Sequence, residues 1–206
     1  MVLSYYMISS GEEKAWKILG SLDPFAVCRN GSVSFDRAAG WYSIRSFCTE
    51  FSVDPRGKTI RSPDGRGEVF IRRYAYFFIH SCLWYLIHAK DIPLSGKLIK
   101  PEGIQGGELF FRGSHVLPLE KLARKYGEDA PSFLRKGREL CSETEPYGDA
   151  AFRVFPMPRI PVTLILWLRD EEFPARAGLL FDSTADIHLP LDMLWSLAML
   201  SILVMA

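Results

Sequence analysis

Three short apolar segments in the last third of the chain constrain its fold more than any other feature. They are residues 150–155, 162–168 and 178–181, and turn-forming residues separate them. The middle segment, VTLILWL, is apolar at almost every position, which is typical of a strand covered on both faces. Prolines form the first connection and the sequence DEEFP forms the second. The sequence therefore predicts a three-stranded antiparallel meander.

Helical patterns surround this meander. Residues 68–89 are rich in aromatics and apolar nearly all round, as expected of a helix buried on most sides. A second apolar helix begins at about Pro190, and residues 11–22 carry one apolar stripe. Further elements are short strands at 32–35, 41–47, 50–53 and 108–111, a hairpin turn at Asn30-Gly31, and short helices at 118–127 and 131–140. The predicted fold class is α+β: a mainly antiparallel sheet with packed helices, in a single domain over residues 1–206.

The charge balance and the lengths of the apolar runs argue against two kinds of partner. The 206 residues carry 25 Lys+Arg and 24 Asp+Glu, a formal net charge of +1. No basic excess therefore favours nucleic acid or an anionic membrane surface. The apolar runs 74–89 and 193–206 are both shorter than the about 20 residues needed to cross a bilayer. No membrane span is expected.

Four cysteines are scattered through the chain: Cys28, Cys48, Cys82 and Cys141. No two of them have the C-x-x-C spacing, so a self-contained zinc or iron–sulfur site is not expected. Scattered cysteines without a secretory leader suit a reducing compartment. The predicted localisation is cytoplasmic.

Several motifs together resemble one protein family. They are LWYLIHA (83–89), PLSG (93–96), GDA (148–150), and the run from FPMPRIP to LLFDSTA (155–185). In this order they resemble the uncharacterised family known as the domain of unknown function numbered 3786. The resemblance implies proteins of anaerobes, some of which are joined to an iron–sulfur domain like that of corrinoid proteins.

This chain lacks such a cysteine-rich domain, so any role for a cluster would require an iron–sulfur or corrinoid partner protein. The resemblance implies no catalytic residues. The function it suggests is an accessory or ligand-binding protein in anaerobic cofactor metabolism, where the cofactor is a corrinoid or another tetrapyrrole.

Acidic residues are predicted to gather at one end of the meander. Asp149 precedes its first strand, and Asp170, Glu171 and Glu172 form the turn after its second strand. In an antiparallel arrangement these positions lie at the same sheet edge, with Glu145 nearby. Asp149, Asp170 and Glu172 could hold Mg²⁺ or Mn²⁺ through oxygen ligands, which predicts a metal-dependent enzyme. The alternative is a solvated turn whose carboxylates bond local backbone amides.

Asp182 is not expected to join this group. It lies at the far end of the third strand, roughly 20 Å from the turn at about 3.3 Å per residue. It is expected to cap the segment that begins at Ser183, or to lie near Arg153 or Arg159.

A second candidate site is a stripe on the long helix. His80, Trp84 and His88 are spaced by four residues, which places them along one helix face. Imidazoles beside an indole could line an apolar pocket for a corrinoid or haem, whose metal takes an axial imidazole. The alternative is that His80 is hydrogen-bonded in the core and His88 lies at the frayed helix end.

Two further features of the sequence do not support a nucleophilic active site. Ser114-His115 lie in a glycine-flanked loop without a G-x-S-x-G elbow, and Cys82 lies within the apolar helix, so acyl-transfer chemistry is not expected.

A third alternative to binding protein and metalloenzyme is an interaction module that forms a homodimer through the C-terminal helix.

Overall fold

The computed structural model describes residues 10–206, and within them the chain folds into two antiparallel sheets packed with helices. The helices are α1 (Ser10–Leu19), α2 (Pro24–Gly31), α3 (Gly65–His88), α4 (Gly107–Phe110), α5 (Glu120–Tyr126), α6 (Ala130–Glu139), α7 (Ala185–His188) and α8 (Leu191–Leu203). The strands are β1 (Ser34–Asp36), β2 (Trp41–Ser46), β3 (Thr49–Asp54), β4 (Thr59–Arg61), β5 (Leu98–Ile99), β6 (Glu143–Glu145), β7 (Ala150–Met157), β8 (Ile160–Trp167) and β9 (Arg176–Asp182). The α+β fold class is confirmed.

The predicted C-terminal meander is confirmed. The second sheet has the order β5-β9-β8-β7-β6, so β8 pairs antiparallel with β7 and with β9. Seven of the eight residues of β8 are buried, as expected of a central strand covered on both faces. The apolar run that predicted a covered strand is therefore the centre of the larger sheet.

The first sheet is a simple meander in the order β1-β2-β3-β4. The sequence predicted its first three strands and did not predict β4. The predicted hairpin at Asn30-Gly31 is wrong, since both residues belong to α2. Asp23 begins that helix by accepting hydrogen bonds from the amides of Phe25 and Ala26, and Ser32 ends it in a left-handed conformation.

The helices predicted over residues 11–22, over residues 68–89 and from about Pro190 are observed as α1, α3 and α8, with shifted ends. The long helix α3 lies against α8 and α1, and Phe78, Cys82 and Leu86 are buried on its inner side. The predicted strand at 108–111 is wrong, because α4 occupies this segment after the left-handed Gly106. Within residues 10–206, no helix is both long and apolar enough to cross a membrane.

Two links join the first sheet to the second sheet near strands β6 and β7. The amide of Phe47 donates to the carbonyl of Phe155 over 2.8 Å. Cys48, in the turn after β2, forms a disulfide with Cys141, which follows α6. This pairing was not predicted, since the spacing of scattered cysteines does not reveal which of them are partners. Disulfides are more typical of oxidising compartments, and the cytoplasmic localisation stays a prediction.

Candidate functional site

The outer face of α3 carries the histidine stripe. Tyr76 and Val69 are 59% and 55% exposed, although most of the helix is covered by the rest of the protein. His80 and Trp84 continue the same face and are half-buried, and His88 is exposed at the helix end. The structure therefore places the predicted ligand-binding residues along a partly exposed surface. None of the five cavities described for the structure is lined by them.

Ring contacts order the side chains of this face. The rings of Trp84 and His88 stack with centroids 5.4 Å apart. The Nδ1 atom of His80 lies 3.1 Å from the carbonyl oxygen of Tyr76, and the two rings are 5.6 Å apart. Partial burial and the charge of Lys90 lower the pKa of His88 from its ordinary value, which favours the neutral imidazole. A neutral imidazole is the form that ligates a metal.

The aromatic surface continues beyond α3. Phe77 contacts Trp195 of α8, and Trp195 contacts His115, with centroid distances of 5.8 and 5.2 Å. His115 stacks on Phe110 at 4.3 Å. At this end of the surface lie two highly exposed aliphatic side chains, Leu109 (79% exposed) and Val116 (59% exposed). We call the whole surface the aromatic face; it comprises Tyr76, Phe77, His80, Trp84, Trp195, Phe110, Leu109 and Val116.

The C-terminal helix contributes less free surface than the dimer hypothesis assumed. Leu194, Leu197, Ala198, Leu200 and Ile202 are all fully buried, and α8 packs mainly on α3. The partly exposed side of the helix coincides with the aromatic face. The predicted homodimer stays a prediction.

The acidic turn lies at the predicted edge of the second sheet. Asp149 Oδ2 accepts the amide of Leu168 at 2.7 Å. Asp170 Oδ1 accepts the amides of Glu172 and Phe173 at 2.9 and 2.7 Å. Asp170 thus bonds local backbone amides, as in the alternative interpretation of this turn, whereas Asp149 bonds an amide at the end of the neighbouring strand β8.

Two adjoining cavities flank the acidic turn. One has a volume of about 820 Å³ and includes Glu172 and Asp170 in its wall, with Arg169 opposite Glu128 in an ion pair. The other, of about 560 Å³, is lined by Asp149 and Asp170. The structure therefore brings Asp149 and Asp170 to one cavity and places Glu172 in its neighbour. Within residues 10–206, no group of three or more His, Cys, Asp or Glu side chains converges closely enough to hold a metal ion.

A buried carboxylate organises the opposite end of the sheet. Asp182, only 3% exposed, accepts hydrogen bonds from the amides of Ser95, Gly96 and Thr184 at 3.1, 2.8 and 3.0 Å. The hydroxyls of Ser95 and Thr184 donate to it at 2.9 and 2.7 Å. Asp182 thus bonds the segment that begins at Ser183 through Thr184, although α7 itself begins without a side-chain cap hydrogen bond, and the carboxylate also holds the PLSG loop. Asp182 lies at the end of β9 away from the acidic turn, as the sequence predicted.

Arg159 makes a second junction beside this one. Its backbone amide donates to the hydroxyl of Tyr85 at 3.0 Å, and that hydroxyl donates to the carbonyl of Gly31 at 2.8 Å. Its guanidinium donates to the carbonyl of Ile92 at 3.1 Å and pairs with Asp91 at 2.5 Å. The motifs that carry the family resemblance therefore meet in space at two polar junctions. Both junctions tie loops to the sheet.

His188 is a residue that sequence reasoning missed. It is fully buried at the end of α7, and its Nδ1 accepts the amide of Lys90 at 3.2 Å. The proton then lies on Nε2, which has no hydrogen-bond partner within the described part of the chain. Burial and the charge of Arg159 lower the pKa of His188, against a smaller opposing effect of Asp182. The histidine in DIHLP gave no periodic signal that could have marked it as buried.

We expect His188 to make the stability of the protein fall at mildly acidic pH. The unfolded histidine has a pKa of about 6.5 and the folded one a lower pKa, so the unfolded state binds the proton first. The free energy of unfolding should decrease as pH falls below about 6.5, by at most about 1.4 kcal/mol per pH unit for this one group. The decrease should stop below the folded pKa. Urea denaturation over a pH series measures the slope.

His188→Gln should flatten this slope, whereas His80→Gln, at a half-buried position on the helix surface, should retain it. Equal slopes for the wild type and His188→Gln would show that another group is responsible.

The fold and these junctions define a class of α+β protein built on two antiparallel sheets that one long helix helps to cover. A family model described as Domain of unknown function (DUF3786) matches residues 23–203. The match spans most of the chain, and the protein belongs to this family. No curated protein and no solved structure matches it. The predicted links to anaerobes and to a corrinoid-type domain stay predictions.

Proposed function

We propose that this protein is an accessory protein that binds a partner protein on the aromatic face. The observation that carries the proposal is the exposure of Tyr76, Leu109 and Val116 on one connected surface. Exposed apolar patches of this kind on a folded protein are typical of interaction sites. Aromatic side chains and arginine are the residues that most often dominate binding energy at interfaces.

The charge around the aromatic face favours an acidic partner. Arg66, Arg72 and Arg73 are exposed on the N-terminal half of α3, and none of them forms an ion pair within residues 10–206. The acidic residue in the first turn of α3, Glu68, accepts the amide of Ser62 at 2.9 Å. Carboxylates on a partner would complement these arginines and speed association.

A second copy of this chain is a poorer occupant than a different protein. A two-fold interface presents the same patch from both subunits, so arginines at the rim would recur on both sides without new carboxylates. An acidic iron–sulfur or corrinoid protein, the partner class that the family resemblance implies, supplies the missing charge. We therefore commit to a heterologous acidic partner.

A purified acidic [4Fe–4S] ferredoxin is the probe we choose, and binding is measured by calorimetry at low and high salt. Tyr76→Ala should weaken binding by about 10- to 30-fold, because truncating a central aromatic anchor costs about 1.4 to 2 kcal/mol. Reversing the charge at Arg72 and Arg73 should reduce the salt dependence.

Phe173→Ala is the matched control, since Phe173 is 65% exposed but lies in the acidic turn. It should bind like the wild type. Equal loss in both aromatic variants, or no binding by the wild type, would refute this docking proposal. Self-association of the wild type in light scattering, lost in Tyr76→Ala, would instead assign the face to a homodimer.

The histidine stripe on α3 also supports a version of the proposal in which this protein itself binds a haem or corrinoid. The neutral imidazole of His88 beside Trp84 could provide an axial ligand to a haem or corrinoid metal. Titration with haemin or hydroxocobalamin should then shift the absorption spectrum of the wild type but not of His88→Ala. No spectral shift in the wild type would exclude this version and leave the partner-protein version standing.

The metal-dependent enzyme is the second candidate, and the cavity shared by Asp149 and Asp170 is the observation that favours it. Mg²⁺ is often held by one or two carboxylates and several waters, so two aspartates suffice for a weak site. Binding to the native state alone should raise the melting temperature with Mg²⁺ or Mn²⁺. Asp149→Asn should abolish the rise, and an unchanged melting temperature of the wild type at saturating metal would refute the hypothesis.

A further inference from the structure

The first sheet and α2 enclose a cavity that none of the proposals above uses. It has a volume of about 480 Å³, within the range of about 300–1,000 Å³ common for small-molecule sites. Its apolar lining includes Pro24, Phe25 and Phe35, and Cys28 also lines it. We call it the Cys28 cavity. None of its lining residues belongs to α3, α8 or the second sheet.

Topology brings two arginines to the mouth of the Cys28 cavity. Arg37 lies in the turn between β1 and β2, and Arg56 lies in the turn between β3 and β4. In a meander these two turns lie at the same end of the sheet, so residues 19 positions apart become neighbours. The Arg56 guanidinium also lies close to Gly40, where a Cβ would be 4.0 Å from its Nη1.

No carboxylate lines the Cys28 cavity, and its two arginines form no ion pair within residues 10–206. The nearest aspartates of these loops are held by backbone amides instead. Asp36 Oδ1 accepts the amides of Ala38 and Ala39, and Asp54 Oδ1 accepts the amide of Arg56. Within residues 10–206 the two guanidinium groups therefore have no ion-pair partner, although Asp36 and Asp54 lie in the same two turns.

The side chains favour a flat, apolar occupant. Phe25 is 64% exposed at the cavity, and the Arg37 guanidinium lies 4.5 Å from the centre of its ring. Burial, with a smaller contribution from Asp23, raises the pKa of the Cys28 thiol, so the thiol adds no negative charge at neutral pH. An aromatic ring can pack on the phenylalanines while its anionic group faces the guanidinium groups.

We propose that the Cys28 cavity binds a small aromatic anion, whose ring lies on Phe25 and Phe35 and whose carboxylate or sulfonate lies between Arg37 and Arg56. The site is independent of the aromatic face on α3, so either proposal can fail without the other. The arginines provide selectivity for the anionic group, and the aromatic floor provides most of the buried apolar area.

The alkylation rate of Cys28 measures whether a ligand occupies the Cys28 cavity. Cys82 is fully buried with its pKa raised to about 12, and Cys48 and Cys141 are joined in a disulfide. Cys28, which is half-buried, is therefore the more accessible of the two free thiols of the protein. The uncharged reagent N-ethylmaleimide, followed by mass spectrometry at about pH 8, measures its modification rate without competing for the arginines.

The probe ligand is 8-anilinonaphthalene-1-sulfonate, an aromatic anion that fluoresces when bound. Saturating probe should slow the alkylation of Cys28 at least about tenfold, because a bound ring blocks the thiol. Arg37→Gln and Arg56→Gln should each weaken probe binding about threefold, and the double variant about tenfold, since exposed charge contacts are each worth up to about 1 kcal/mol. Arg138→Gln, an exposed arginine on α6, is the control and should bind like the wild type.

The uncharged dye N-phenyl-1-naphthylamine tests the need for charge. It should protect Cys28 less than the sulfonate does, and its protection should be the same in the double variant and the wild type. Unchanged sulfonate binding in the double variant, or fluorescence without protection of Cys28, would overturn the proposal. Both arginines are exposed, so circular dichroism should show that the variants remain folded.

Discussion

Replacing Asp182 by alanine is expected to lower the free energy of unfolding by about 3–4 kcal/mol, the largest effect of any single substitution considered for this protein. Five donors from Ser95, Gly96 and Thr184 converge on this buried carboxylate. Hydrogen bonds to a charged group are worth more than neutral ones, and the alanine variant removes the acceptor of three partly buried amide bonds. Urea denaturation measures the loss.

Two variants separate the charge of Asp182 from its position. Asp182→Asn keeps the shape but presents an amide group to some of the donors, so it should lose nearly as much stability as alanine. Asp186→Ala, at an exposed position in α7, should change the stability by less than about 0.5 kcal/mol. A loss below about 1 kcal/mol in Asp182→Ala would mean that the junction does not hold the PLSG loop.

The same carboxylate should contribute to acid unfolding. Burial by itself would raise the pKa of Asp182, but hydrogen bonds from Thr184 and Ser95 outweigh burial and lower the pKa from its ordinary value. Its contribution to stability is therefore complete above about pH 4, near the pKa of the unfolded group, and is lost as pH falls through the lower folded pKa. Asp182→Asn should remove this part of the acid dependence.

Removing the disulfide between Cys48 and Cys141 is expected to lower the free energy of unfolding by about 2–4 kcal/mol. The bond closes a loop between residues 93 positions apart, which restricts the unfolded chain strongly. The folded state should change little, because the amide of Phe47 still donates to the carbonyl of Phe155 beside it. The double variant Cys48→Ser/Cys141→Ser should therefore show a lower melting temperature with an unchanged circular dichroism spectrum.

Cys28→Ser is the matched control, because it removes a thiol that forms no cross-link. It should melt close to the wild type, and a reducing agent should lower the melting temperature of the wild type but not of the double variant. If reduction leaves the wild type unchanged, the cross-link does not contribute to its stability.

Local patterns were enough to predict the C-terminal meander. The uniformly apolar run in β8 marks a covered strand, and the prolines before it and the DEEFP turn after it separate the three strands in order. This topology in turn placed Asp149 near Asp170 and Asp182 at the opposite end of the sheet. Each of these inferences needs only neighbours in sequence and the geometry of antiparallel pairing.

The errors arose where a short motif has two physical meanings. Asn-Gly favours a hairpin turn, yet Asn30 and Gly31 complete a helix because the Asp23 cap and Pro24 had already started it. Residues 108–111 are apolar enough for a strand, but four residues cannot distinguish a strand from one helical turn. In both places, packing and capping decided the conformation.

The sequence by itself determined the family, the α+β class and the order of strands in the larger sheet, because these follow from apolar periodicity and turn residues along neighbouring positions. Only the tertiary structure decided which distant groups come together: Cys48 bonds Cys141, Asp182 accepts from Ser95, the amide of Lys90 donates to His188, and Arg37 and Arg56 line one cavity. Contacts of this kind depend on how sheets and helices pack. The residue pattern within one segment does not specify which distant segment will pack against it.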